Sequence, residues 1–153
     1  MALNGIQTKQ ITVKSDGDVL FEIFRYRPHH IADMSPKYIK GVDLHDGHEW
    51  GTVGSIITWT FHHEGKQKVA KEKLEAVDDE KMSLCYKVIG GDLLEAYKTF
   101  LITVHVDTNG EENVVVTWTF HYEKLNKSVP NPDSLMDFFL SMTKDIETHL
   151  LKD

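Results

Sequence analysis

The side chains best suited to moving a proton at neutral pH are the chain's nine histidines, and their spacing limits what they can do. None falls in an H-x-E-x-x-H or similar helical pattern. His29-His30 and His62-His63 are adjacent pairs whose rings are expected to diverge, and Cys85, the one cysteine, has no second thiol to join it. Neither a metal nor a cofactor is expected. His63 shares strand parity with Trp59 and Phe61, and His105 shares it with Tyr97. With the phenols Tyr86 and Tyr97, these two histidines are the candidate acid–base groups of an internal site; a satisfied, partly buried histidine is the competing reading of each. No serine stands in a G-x-S-x-G elbow, so a Ser-His-Asp hydrolase is not expected. The glycine-punctuated stretch 47–54 lacks the G-K-[ST] ending of a phosphate cradle and feeds a strand, which makes it a tight connection.

The elements that must position these groups begin with the last stretch, 132–152. Leu135, Phe139, Met142, Ile146 and Leu150 recur at spacings of four, three, four and four, while Asp137, Ser141, Lys144, Asp145 and Glu147 fall on other faces. The spacing predicts a long amphipathic helix, capped by Asn131 and with Pro132 at its first position. Its apolar stripe needs cover. Most of the remaining chain reads as strand: 3–14, 38–45, 55–63, 67–77, 82–89, 93–106 and a stretch in which Val114, Val116, Trp118, Phe120 and Tyr122 alternate with polar or smaller neighbours. Glu64-Gly65 and Asn109-Gly110 mark hairpin turns. Ser15 or Asp16 can cap a short helix carrying Val19, Leu20, Ile23 and Phe24, and Pro28 can open a second that ends at Ser35-Pro36. On 93–106 both faces are substantially apolar, so spacing leaves open which one points inward.

TWTFHHE at 58–64 recurs almost unchanged as TWTFHYE at 117–123, a separation of 59 residues that fits no solenoid period. Packing of two half-buried strands against one interior explains it, with aromatics on one side and threonines on the other. A filled core is one outcome. The proportion of seven strands to one helix stripe favours the other, an apolar pocket lined by aromatics with polar tips.

At 153 residues the chain is expected to form one α+β domain that buries about 70% of its unfolded surface. Its 24 acidic and 17 basic residues, net −7, oppose nucleic-acid binding. A lone thiol excludes an internal disulfide and fits a reducing compartment; the opening Met-Ala-Leu-Asn-Gly-Ile-Gln lacks the basic and apolar segments of a signal peptide, and no apolar run reaches membrane-span length. The expected setting is cytoplasmic, as a monomer or weak dimer.

The blocks MALNG, VLFEIF, HHI, MSP, GVDLHDG, WGTVGSI, KEKLEAVDDE, GDLLEAYKTF, TWTFHYEKLN and TKDIETHLLK, in that order along the whole chain, resemble the plant major latex proteins of the birch pollen allergen (Bet v 1-like) superfamily. That resemblance implies a helix-grip fold, a seven-stranded antiparallel sheet around a long C-terminal helix with two short helices closing one end of an apolar cavity. It also implies binding of lipids, steroids, flavonoids or hormones, in defence or stress response. By position, the cavity residues it implies are Phe24, Trp59, Phe61, Leu84, Tyr86, Val88, Tyr97, Leu101, Trp118, Phe120, Phe139, Met142 and Ile146. Glu49-Trp50 intrudes in the glycine loop, and Ile57-Thr58 stand where the allergen branch has lysines, which disfavours anionic groups at that mouth. The alternative is a cofactor-free enzyme of specialised metabolism, a cyclase, isomerase or condensing catalyst, using His63, His105, Tyr86 or Tyr97. An interaction protein with a vestigial cavity is a third reading.

Overall fold

The computed structural model describes residues 3–108 and 113–152. Strand β1 (Asn4–Val13) leads into helix α1 (Gly17–Tyr26), then a 3-10 turn (Pro28–His30) that runs into the short helix α2 (Ile31–Met34). Strands β2 (Ile39–Leu44), β3 (Ile56–His63), β4 (Lys66–Asp78) and β5 (Ser83–Gly91) follow. A 3-10 turn (Asp92–Glu95), β6 (Tyr97–Asp107), β7 (Val114–Lys124) and helix α3 (Asp133–Leu150) complete the chain. The strands form one sheet in the order β1-β7-β6-β5-β4-β3-β2, each pair of neighbours antiparallel. The Asn109-Gly110 turn signal lies outside the described residues.

Alternation decides which side of each strand turns inward. In β7, Val114, Val116, Trp118, Phe120 and Tyr122 are all buried, and in β5 Leu84, Tyr86 and Val88 are buried opposite the half-buried Cys85 and exposed Lys87. Register shifts at Ile39/Gly41, Lys71/Glu72, Leu74/Ala76 and Tyr97/Thr99 interrupt the ladders, and such bulges bend a sheet and sharpen its twist. The curved sheet grips α3. Between β3 and β4, Glu64 and Gly65 both take positive φ, 55° and 75°, the two-residue turn that matches strand twist.

Three expectations change. Residues 92–95 form a 3-10 turn, so β6 starts only at Tyr97. Gly91 has φ 100° and lies so close to β4 that an added Cβ would sit 2.1 Å from the Val69 carbonyl oxygen, and the chain turns there. In β6 the buried side is Phe100, Ile102, Val104 and Val106, which puts Leu101 and His105 on the opposite face. Tyr97 rejoins the interior because the shift at Tyr97/Thr99 reverses parity there.

Helix α3 begins one residue later than the sequence suggests. Pro132 is its N-cap without a side-chain bond, its carbonyl accepting from Met136 N at 3.0 Å; Asn131 contributes only its backbone oxygen, which accepts from Asp133 N at 2.8 Å. The buried side is broader than the expected stripe. It comprises Leu135, Met136, Phe138, Met142, Thr143, Ile146 and Glu147, with Phe139 and Leu150 half-buried. At α1, Asp16 caps as expected, accepting from Asp18 N at 2.8 Å and Val19 N at 3.2 Å. Asp16→Ala is expected to lower stability by about 1 kcal/mol, read as a shift in the urea midpoint at unchanged slope.

Candidate functional site

Between α3 and the sheet the packing stays open. Trp59 and Phe61 of β3, Ala70 and Glu72 of β4, and Tyr86 of β5 form one side of a cavity; Ile102, Val104 and Trp118 of β6 and β7 form its back. Helix α3 supplies Leu135, Phe138, Phe139 and Met142, and Phe24, Ile39 and Leu93 close the ends. About 50 Å³ is open to the centres of water-sized molecules. The lining is almost wholly carbon.

Its polar groups are few and unequal. Trp118 Nε1 donates to Thr143 Oγ1 at 2.9 Å, and that hydroxyl donates to the Phe139 carbonyl at 2.8 Å, so a polar helix position is satisfied inside the core. Tyr86 donates its hydroxyl to the Phe24 carbonyl at 3.3 Å. Burial, and then the charge of Glu72, pushes the Tyr86 phenol well above its ordinary range. Trp59, the counterpart of Trp118 in the repeated motif, differs: its buried Nε1 has no partner of normal hydrogen-bond geometry. It is nonetheless the neighbour that favours the ionised form of Glu72. Against that weak help, burial pushes the Glu72 carboxyl up to about 8 from an ordinary 4.5. At neutral pH this carboxyl holds its proton.

A second, more polar pocket of about 180 Å³ shares Phe61, Leu93 and Leu135 with the first and adds His63, Glu64, Lys68, Tyr97 and Ser134. His63 Nε2 lies 3.1 Å from Ser134 Oγ, and its Nδ1 lies 3.6 Å from Glu64 Oε1, a Ser-His-carboxylate arrangement that a hydrolase would use. Lys68 Nζ is closer to Nδ1, at 3.1 Å. An ammonium can only donate, so Nδ1 accepts and Nε2 carries the ring proton, which points at Ser134. That tautomer cannot take a proton from the serine. Burial and then Lys68 hold the His63 pKa down against Glu64 and Ser134. Tyr97 donates to the Pro130 carbonyl at 2.8 Å, and burial, then the neighbouring Tyr122, pushes its phenol up to about 12.

Residues 2–153 match the family model for the pathogenesis-related protein Bet v 1 family. The chain belongs to the Bet v 1 family. Within it, the chain sides with the major latex proteins: it is 42% identical over 145 residues to MLP-like protein 34 of Arabidopsis thaliana, covering 94% of this chain and 46% of that one. The chain thus spans about half the length of that relative. The crystal structure of ginseng major latex-like protein 151 from Panax ginseng is 47% identical, covers 99% of this chain and 100% of its own, and superposes with a TM-score of 0.95. Norcoclaurine synthase from Thalictrum flavum, 20% identical with a TM-score of 0.78 over 98% of this chain and 88% of its own, shares the fold.

In this Bet v 1 family member the cavity wall includes Phe24, Trp59, Phe61, Tyr86, Trp118, Phe139 and Met142 from the expected set. Leu84, Val88, Phe120 and Ile146 are buried in the core but do not reach the wall, and Tyr97 lines the polar pocket instead. Leu101 and His105 are corrections: the parity of β6 turns them away from the interior, His105 pairing in register with Ser83 and Thr117. The rings of His29 and His30 do not diverge. They meet edge to face at 4.3 Å, and His29 stacks on Trp50 at 4.1 Å. Ile39, Ala70, Glu72, Leu93, Ile102, Val104, Leu135 and Phe138 were missed. Alternation of Ala70, Glu72 and Leu74 with Lys71 and Lys73 was the available signal for the β4 residues. Among the described residues no three His, Cys, Asp or Glu side chains gather as a metal site, and no helix is long and apolar enough to cross a membrane.

Proposed function

We propose that this protein binds and carries a small hydrophobic metabolite in the cavity between α3 and the sheet. The observation that carries the reading is an open, carbon-lined space inside a fold whose family is a ligand-binding one. An occupant that buries about 200 Å² of carbon gains roughly 5 kcal/mol before ordering costs, so burial supplies the driving force and each further buried carbon adds to retention. The limited room favours slender molecules over rigid polycyclic ones such as steroids, which would need Met142 and Phe139 to move. Carriage within the cytoplasm, in a defence or stress role, fits such a binder.

The catalytic reading has less support, because its acid–base groups do not converge. His105 lies on the other face of β6, the Tyr86 and Tyr97 hydroxyls are engaged with backbone carbonyls, and His63 stands in the adjoining pocket as a proton donor to Ser134. Native mass spectrometry of the protein incubated with a plant-metabolite extract tests the choice. A retained, unaltered compound is expected. A compound released in altered form would make the protein an enzyme.

Filling the cavity checks the location. Ala70 is 3% exposed and part of the wall, so Ala70→Leu places three extra carbons in the open space. Retention is expected to fall at least ~tenfold while the thermal midpoint changes little, since the added carbons enter space that is already there. Equal retention by both proteins would place the ligand elsewhere.

A further inference from the structure

Resting on the binding reading above, we propose that Glu72 selects the charge of the cavity's occupant, favouring an apolar molecule with a basic nitrogen over its neutral analogue and rejecting the matching carboxylate. The wall contains no Lys, Arg or His, and Glu72 is its one carboxyl group. Glu72 is 6% exposed, and among the described residues no cation pairs with it. The cavity therefore offers one potential negative charge and nothing to balance it.

The remaining polar groups set one donor and one acceptor beside Glu72. Trp59 Nε1 is a donor and is buried without a partner of normal geometry, and Tyr86 has committed its hydrogen to Phe24. From β5 the titratable group facing Glu72 is the Tyr86 phenol, from β3 the polar group is the Trp59 indole, and Arg25 of α1 acts on Tyr86. An ammonium or protonated ring nitrogen would donate to the Glu72 carboxylate, which can at the same time accept from Trp59. A bound carboxylate could accept from protonated Glu72 and from Trp59, but its full charge would be buried in a carbon-lined space with no compensating cation. A hydroxyl would gain one neutral hydrogen bond. The cation Lys68 stands in the outer pocket beside the neutral His63, so an anionic head held there with its tail inward is the competing geometry.

Because burial keeps the empty site protonated at neutral pH, docking a cation carries a proton signature. Glu72 gives its proton to the solvent and the ammonium takes its place. Calorimetric titration at pH 7 with octylamine, 1-octanol and octanoate, repeated in two buffers of different ionisation enthalpy, reads both affinity and proton release. Octylamine is expected to bind ~tenfold or more tightly than octanol, with close to one proton released, and octanoate more weakly than octanol. In Glu72→Gln, shown to be folded by its circular dichroism and a cooperative thermal transition, the amine preference and the proton release are expected to vanish. Octanol bound, with amine no tighter and no proton released, would overturn the charge selection alone. Octanoate as tight as octylamine would overturn it in favour of the outer pocket. Failure of all three to bind would overturn the binding reading and this inference with it.

Discussion

Glu72→Gln is expected to become progressively more stable than the parent as pH rises from 5 to 9. The folded carboxyl titrates near 8 and the unfolded one near 4.5, so between those values the unfolded chain has released a proton that the folded chain still holds. Folding is then opposed by rising pH. The stability that protonated Glu72 permits is fully present below pH 4.5 and is lost as pH rises toward and through 8. Each pH unit between those values is worth about 1.4 kcal/mol, which makes the loss accumulated from pH 5 to pH 9 roughly 4 kcal/mol and, for a chain of this size, about 10 °C in Tm. Glutamine keeps the shape and cannot ionise, so its own cost is a constant offset. Urea denaturation of both proteins at five pH values isolates the effect as a difference in slope. Parallel profiles would show that Glu72 is hydrated or paired in solution.

The same pressure links stability to occupancy. A buried group that opposes folding above neutral pH is retained at a cost, and a cationic occupant would remove that cost by giving the carboxylate a partner. Saturation with octylamine is therefore expected to protect the parent most where it is weakest, at high pH.

What could be read from the sequence was whatever local pattern decides by itself. Strands β5 and β7 alternate cleanly, Asp16 precedes its helix at capping distance, and Glu64-Gly65 suits a two-residue turn; each appears in the structure at its expected place. Strand β6 was illegible because both of its faces are apolar and a bulge at Tyr97/Thr99 reverses parity part-way. The helix stripe came out too narrow for another reason. Thr143 and Glu147 are polar yet buried, and their partners, the Trp118 indole and the Lys14 backbone N–H, lie 25 and 133 residues away. Apolar periodicity cannot see a satisfied polar group. Alternation in β4 could have turned Glu72 inward, but what burial does to its carboxyl exists only once β3, β4, β5 and α3 have met.

Glu147 carries the second large effect, of opposite sign. Its Oε2 accepts from Lys14 N at 2.6 Å and its Oε1 from Lys144 Nζ at 2.7 Å, so the far end of α3 is clasped to the junction of β1 and α1. Burial alone would push this carboxyl up, but the bonds from Lys144 and Lys14 together outweigh it and hold the carboxyl below its ordinary value. A group so lowered adds stability above pH 4.5, and that stability is lost as pH falls through its folded value. The carboxylate is 4% exposed and sits near the helix C-terminus, where the dipole disfavours negative charge, so its partners are what keep it there. Glu147→Ala removes the acceptor and leaves a hole, and is expected to cost about 3 kcal/mol at pH 7. Glu147→Gln preserves an acceptor for Lys14 N and is expected to cost about 1 kcal/mol, with a flatter decline below pH 4.5 than the parent. Hydrogen exchange distinguishes a clasp from a packing residue. In Glu147→Gln the amide of Lys14 is expected to keep most of its protection, and in Glu147→Ala to lose it, while amides at the centre of β7 change only with global stability. If Lys14 exchanges equally fast in the parent, the clasp is open in solution, and the two carboxylates cannot then set opposite limbs of one stability profile.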